Sequence, residues 1–193
     1  NLKDANGDDR PTDTYLEQVN DTTVRGYRCS TGWSKLQQIY FTAVFSEPVH
    51  LALYHDSISV QSNMLQGVDV KGNIIVASDV EKLDMKVGIS PVSMENAAAN
   101  IQQEIADWNF ERVVGETTAK WNAELSKLQV TTTDTVAKRI FYTALYHAFI
   151  QPVMFNDYNR EYRGTDKNVY GDPGFTNYTV FSLWDTYRAA HPL

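Results

Sequence analysis

Leu83-Asp-Met-Lys-Val-Gly-Ile-Ser90, followed by Pro91-Val-Ser-Met-Glu-Asn-Ala-Ala98, decides the fold class, because the hydrophobic period changes inside it. On the first side Leu83, Met85, Val87 and Ile89 alternate with Asp84, Lys86 and Gly88, the period of two expected of a strand. Ser90-Pro91-Val92-Ser93 ends the alternation. Ser93 is placed as an N-cap, where a hydroxyl oxygen accepts a backbone N–H of the first helical turn. Glu95 lies where the positive end of the helix dipole favours a carboxylate. Ala97, Ala98, Ile101 and Ile105 then recur at helical spacing. The chain reads as strands before residue 91 and helices after it.

Upstream, Asn73-Ile-Ile-Val-Ala-Ser78 is a short strand run after the turn signal Lys71-Gly72. Val49, Leu51 and Leu53 alternate with His50, Ala52 and Tyr54. Ile39, Phe41, Ala43 and Phe45 alternate with Tyr40, Thr42 and Val44, and Pro48 separates these two runs. Residues 1–23 carry little apolar periodicity and read as loops or weak strands. Short strands at this spacing indicate an antiparallel sandwich.

Downstream, a second helix starts after Asn109, with Phe110, Val114, Thr117, Trp121, Leu125 and Leu128 on one face. Val130-Thr-Thr-Thr-Asp134 breaks it. A third helix runs from about Asp134 to Ile150, apolar on two faces: Val136, Ile140, Ala144 and Ala148 on one, and Phe141, Leu145 and Phe149 on the other. That pattern predicts burial between neighbouring helices, and Pro152 ends it. Residues 156–180 are polar, aromatic and turn-rich, punctuated by Gly164, Gly171, Pro173 and Gly174. Tyr178, Val180 and Leu183 lead into a last helix. Barely two helices cannot close a core, so the chain is expected to be an interior segment of a longer protein.

The 193 residues carry a net charge of −7, 42% hydrophobic residues and one cysteine. That composition supports a buried core and excludes a disordered chain. It excludes an intramolecular disulfide framework and a cysteine-based zinc site. The acidic balance argues against a broad nucleic-acid surface, and no apolar run approaches the ~20 residues that span a bilayer. Asn1 to Val24 is too polar for a signal peptide.

No metalloprotease, nucleophile-elbow, P-loop or dinucleotide motif is present. Asp157-x-Asn159-x-Glu161 opens like a calcium loop, but Tyr162 and Asn168 stand where such a loop needs Gly and Glu. His50, His55, His147 and His191 lack ligand-like pairing and read as half-buried polar residues. The carboxylates Asp157, Glu161, Asp166, Asp172 and Asp185 raise the question of glycoside hydrolysis, which needs two carboxyls on opposite sides of the bond. Most loop acids are simply solvated.

The most informative segment is Thr179-Val-Phe-Ser-Leu-Trp-Asp-Thr-Tyr-Arg188. Ser182 and Asp185 are spaced as a capping box, and Asp185 and Arg188 can pair at i,i+3. Trp184 beside Asp185 also suits a sugar, the indole stacking on a pyranose face while the carboxylate accepts from two hydroxyls. Core packing of Trp184 competes with that role. Gly26-Tyr-Arg-Cys-Ser-Thr-Gly-Trp33 reads as a loop with Cys29 tucked inside as a small hydrophobe, Arg28 being a weak hint of thiol activation.

Phe141-Tyr-Thr-Ala-Leu-Tyr-His147, Tyr162-Arg-Gly164, and Tyr178 to Arg188 with His191-Pro192 resemble the family 92 glycoside hydrolases, calcium-dependent exo-acting α-mannosidases. Val87-Gly-Ile-Ser90 with Glu95-Asn-Ala97, the Trp108 region, and Gly32-Trp33 with Ile39-Tyr-Phe41 are similar to the family too. The blocks occur in its order, from about residue 25 onward. The resemblance implies an α+β multidomain segment: the C-terminal part of an antiparallel β-sandwich over 1–92, a helical connector over 93–132, and the first helices of an (α/α)6 catalytic barrel over 133–193.

It also implies hydrolysis with inversion of terminal mannose, α-1,2-linked first, in mannose-containing glycans, by a periplasmic or secreted enzyme. The acid, the base and the calcium ligands are expected beyond Leu193, so no catalytic or metal residue is assigned here and the segment alone is expected to be inert. The remainder of its own chain is its expected partner. Trp184, Asp185 and Cys29 resemble substrate-binding positions. The competing reading is a non-catalytic carbohydrate-binding protein with sandwich and helical domains.

Overall fold

The computed structural model describes residues 10–32, 34–179, 186, 187, 190 and 191. The chain forms two compact units, Asn1–Trp108 with Asp157–Gly174, and Asn109–Asn156 with Phe175–Leu193.

In the first unit the strands β1 (Arg10–Asn20), β2 (Thr23–Thr31), β3 (Gln37–Phe45), β4 (Val49–His55), β5 (Ile58–Val60), β6 (Met64–Gly67), β7 (Val70–Val76) and β8 (Met85–Ser90) precede the helix α1 (Met94–Glu104). They make a five-stranded sheet in the order β6-β1-β2-β3-β8 and a three-stranded sheet in the order β5-β4-β7. All pairings are antiparallel. The alternation read in the sequence sends Ala43 and Phe45 of β3, and Val49, Leu51 and Leu53 of β4, into one core with Val24. Leu16, Phe41, Leu65 and Leu83 pack against it. Gln18 ties the sheets together: its carboxamide donates to the Val49 carbonyl and accepts from the Leu51 N–H, both at 2.8 Å. A side chain on β1 thus satisfies two backbone groups of β4.

The reading of residues 1–23 as loops or weak strands is corrected over its second half. β1 is an eleven-residue strand paired along its length with β2 and, in part, with β6. Its inward face offers little beyond Leu16 and its register shifts near both ends, so no period-two apolar signal exists. Pairing on both sides makes the strand.

α1 begins as the sequence predicts, with Ser93 Oγ accepting from the Asn96 N–H at 3.0 Å. It lies against the face of β3 and β8 that points away from the core. Thr42 Oγ1 donates to the Met94 carbonyl, and Ala97 and Ile101 are buried. At Gly88 a Cβ would stand 2.0 Å from the Ala97 carbonyl oxygen. Only glycine lets the helix come this close. This packing groups α1 with the sheets, whereas the sequence grouped it with a connector starting at residue 93.

The second unit holds α2 (Phe110–Leu125) and α3 (Thr135–Phe149), capped by Asn109 and Asp134. The helices meet where Trp121 and Tyr146 bring their rings to 4.5 Å. Among the described residues the predicted burial of α3 on two faces is not found. Only Leu145 is buried, while Phe110, Val136 and Ile140 are exposed. Between these helices and Thr186, residues 153–155 run beside 177–179 through a Met154–Tyr178 bridge. The expected last helix lies largely outside the described residues.

Gly88→Ala in the intact protein is expected to cost roughly 1–3 kcal/mol, because the added methyl group meets backbone that cannot yield without moving α1. Urea unfolding measures it. An unchanged midpoint would show that α1 does not rest on β8 through this contact.

Candidate functional site

Two polar constellations stand out, both in the first unit. The first is centred on Asp157, which is 5% exposed. One carboxylate oxygen, Oδ2, accepts from Ser90 Oγ at 2.6 Å and from Asn96 Nδ2 at 2.8 Å, and Oδ1 accepts from Asn100 Nδ2 at 2.8 Å. Asn100 Oδ1 accepts from the Tyr158 N–H in return. Asn96 Nδ2 also donates to Glu161 Oε2 at 2.8 Å, and Asn159 Nδ2 donates to the same oxygen at 2.9 Å. These donors favour the ionised form, Asn96 most, so the Glu161 carboxyl is held below its ordinary value. Beyond this cluster a small hairpin, β9 (Tyr162–Arg163) with β10 (Val169–Tyr170), stacks its two tyrosines at 5.5 Å. Arg163 donates to the Pro91 and Lys167 carbonyls.

The other acids of this segment are committed locally. Asp166 accepts from the Tyr170 hydroxyl and from both nitrogens of Asn168, which lowers its pKa, Tyr170 being the main cause. Asp172 accepts from the Gly174 N–H and pairs with Arg160, and it too is lowered. The Asp157-x-Asn159-x-Glu161 stretch is an anchor built from neutral amides and not a cation loop. Among the described residues no three His, Cys, Asp or Glu side chains converge to hold a metal ion. They do not fit a calcium site.

The second constellation lies on the face of the five-stranded sheet that points away from the core. Residues paired across a ladder share a face. Asp13, Tyr15 and Glu17 are therefore aligned with Cys29, Tyr27 and Arg25, and these with Gln38, Tyr40 and Thr42. Tyr15 stacks on Tyr27 at 5.6 Å, and Tyr27 tilts against Tyr40 at 5.7 Å. Asp13 Oδ2 accepts from the Tyr27 hydroxyl at 2.8 Å and from Gln66 at 3.0 Å. Burial first, and then this bond to Asp13, push the Tyr27 hydroxyl up to about 12. Arg25 bridges Glu17 and Glu95, joining the sheet to α1.

Cys29 belongs to this face. It is 9% exposed, and its Sγ accepts from Gln38 Nε2 at 3.7 Å. The segment Gly26–Thr31 is not the loop read from the sequence but part of β2. Gly26 marks no turn: a Cβ there would stand 2.1 Å from the Tyr15 carbonyl oxygen, so glycine admits the neighbouring strand. Trp184 and Asp185, with the Ser182 capping box and the Arg188 pair, lie outside the described residues, as does Trp33. Of the histidines, His191 brings Nε2 to 2.7 Å from Thr186 Oγ1. The sequence reading passed over the tyrosine row, whose only signal is the alternation of Tyr15 with Leu16 and of Tyr27 with Gly26.

The model of the glycosyl hydrolase family 92 catalytic domain matches residues 96–193, just over half of the chain. The chain belongs to glycoside hydrolase family 92. Family members of solved structure resemble it over nearly its whole length. A family 92 α-mannosidase of Bacteroides thetaiotaomicron is 35% identical over 95% of this chain and 26% of its own, with a TM-score of 0.87. The same enzyme in complex with mannoimidazole is matched at 34% identity and a TM-score of 0.86, over 95% of this chain and 25% of its own. A family 92 inverting mannosidase of the same species is 26% identical over 93% of this chain and 25% of its own, with a TM-score of 0.79. The family 92 chain thus spans about a quarter of the length of these relatives. No protein of curated function matches it. No helix among its described residues is long and apolar enough to cross a membrane.

Two expectations follow for the anchor of this family 92 chain. Asp157→Ala leaves the Ser90 hydroxyl without its acceptor and takes one acceptor each from the Asn96 and Asn100 amides, which keep Glu161 and the Ile89 carbonyl, and is expected to cost roughly 2 kcal/mol in urea unfolding of the intact protein. A loss below about 1 kcal/mol would show that water replaces the carboxylate. Glu161 has a depressed folded-state pKa. Its contribution is therefore present above the ordinary value of 4.5 and is lost as pH falls through the lowered one. The Tm gap between wild type and Glu161→Gln should narrow between about pH 6 and about pH 3. A constant gap would refute the role of the ionised form.

Proposed function

We propose that the intact protein is an exo-acting α-mannosidase that releases terminal mannose from glycans with inversion, α-1,2 linkages first. The observation that carries this reading is the 35% identity to a family 92 α-mannosidase across 95% of the chain. That another relative is an inverting mannosidase supports the stereochemistry. In this reading α2 and α3 lead into an (α/α)6 barrel. Their open apolar faces, Phe110 on one and Val136 and Ile140 on the other, are surfaces that further helices would cover.

Inversion needs one carboxyl to protonate the leaving oxygen and a second to activate water on the opposite face, ~6.5–9.5 Å away. Glu161, Asp166 and Asp172 each accept hydrogen bonds within their own loop, and the Asp157 carboxylate is taken up by Ser90, Asn96 and Asn100. The acid and base are therefore assigned to polypeptide outside residues 1–193, as is any calcium site. Trp184 and Asp185 are proposed to hold the terminal mannose, the indole against its C–H face and the carboxylate on two hydroxyls. Cys29 is proposed as a fixed wall contact and not a nucleophile, its thiol occupied by Gln38. The compartment proposed is periplasmic or extracellular, where such glycans are met.

The test is mannose release from α-linked mannobioses by the intact protein, with calcium and after chelation, and with the anomer followed by NMR. Release of the β-anomer, abolished by chelator and restored by calcium, is the expected result. Folded protein that binds mannosides without releasing mannose would favour a carbohydrate-binding protein. Trp184→Ala should lower kcat/KM by a factor of about 100 while shifting Tm little. Unchanged turnover per folded molecule would remove Trp184 from the site.

A further inference from the structure

Thr186 and His191 belong to the second unit and are held together twice. The His191 N–H donates to the Thr186 carbonyl at 3.0 Å. That bond reaches five residues back and closes a turn of the kind found at helix C-termini. The His191 ring also brings Nε2 to 2.7 Å from Thr186 Oγ1. Thr186 is 8% exposed, whereas His191 is exposed. A buried hydroxyl needs a hydrogen-bond partner, and the imidazole supplies one. One residue thus grips another by backbone and side chain together. Pro192 follows and narrows the backbone states open to His191.

The backbone bond alone would end a helix. The side-chain bond is a second constraint, placed on the residue that directly follows Asp185. In the reading proposed above, the Asp185 carboxylate accepts from two hydroxyls of the terminal mannose. A two-point contact of this kind depends closely on position, and a misplacement of about 1 Å can cost up to about a hundredfold. The peptide between Asp185 and Thr186 is planar and carries both Cα atoms, so a displacement of Thr186 is passed to Asp185.

We propose that His191 is a positioning residue for the mannose site, acting through the Thr186 hydroxyl to hold Asp185 where the sugar meets it. The proposal rests on the assignment of Asp185 to mannose. It gives His191 no acid or base role, since its Nε2 is engaged by Thr186.

The test is calorimetric binding of mannoimidazole, the compound bound in a relative, by the intact protein, with Tm recorded to show that each variant is folded. His191→Ala is expected to weaken binding about tenfold. His191→Gln, whose amide can reach the place of the imidazole Nε2, should return affinity to within about twofold of wild type. In an Asp185→Asn background, His191→Ala should add no more than about a twofold loss, because the two residues act as one unit. Wild-type affinity in folded His191→Ala, an equal loss on both backgrounds, or no recovery with His191→Gln overturns the inference and leaves the mannose reading in place. No binding by folded wild type overturns the assignment of Asp185 and the inference together. Should His191→Ala fail to fold, Thr186→Val, which keeps the side-chain shape and removes the hydroxyl, replaces it on both backgrounds.

Discussion

A carboxylate removed from water constrains much of the first unit. Asp157 is nearly fully buried, and its neighbours at hydrogen-bond distance are neutral: one hydroxyl and two amides. A charge so placed is tolerated only if its lone pairs are met, which fixes three donors from two elements at once. Ser90 is the last residue of β8, and Asn96 and Asn100 stand one turn apart on α1. Ser90 Oγ, while donating to Asp157, also accepts from the N–H groups of Val92 and Ser93. One hydroxyl therefore shapes the passage from strand to helix and holds the later segment against it. The Gly88 contact with Ala97 seats the helix closely enough for its amides to reach.

That arrangement explains why a loop so rich in acids shows no converging pair. Each carboxylate between 157 and 172 serves the loop's own shape: Asp157 as anchor, Glu161 through Asn96 and Asn159, Asp166 through Asn168 and Tyr170, Asp172 through Gly174 and Arg160. Membership of a glycoside hydrolase family does not make these acids catalytic. The oxygens that would have to face a sugar already face amides, hydroxyls or a guanidinium. Each unit, taken by itself, also leaves aliphatic side chains open at the rim of its core, as expected of a chain that matches a quarter of its relatives.

Much of the fold is legible residue by residue. The alternation through Phe41, Ala43 and Phe45 and through Val49, Leu51 and Leu53 gives two strands with their inward faces. Ser93, Asn109 and Asp134 mark three helix starts, each confirmed by a side-chain oxygen accepting a first-turn N–H. These signals are local: a period, or a cap one turn from its donor. The candidate sites were less legible. Cys29 looked like a loop residue because Gly26 and Gly32 flank it, and glycine is the usual mark of a turn. Here Gly26 answers a crowding that exists only once β1 lies alongside. The tyrosine row was invisible because Tyr15, Tyr27 and Tyr40 are 12 and 13 positions apart and meet only through register.

The sequence by itself determined the strand-to-helix order, the helix starts with the cap at Ser93, the inward faces of the central strands and, through ordered motif blocks, the family. Each depends on neighbours within a turn or a strand, or on the order of residues along the chain. Only the tertiary structure decided that residues 10–20 form a strand, that α1 belongs with the sheets, and that Asp157 is buried among Ser90, Asn96 and Asn100. Those outcomes rest on contacts between residues as many as 67 positions apart, where the partner's chemistry is readable in the sequence but its proximity is not.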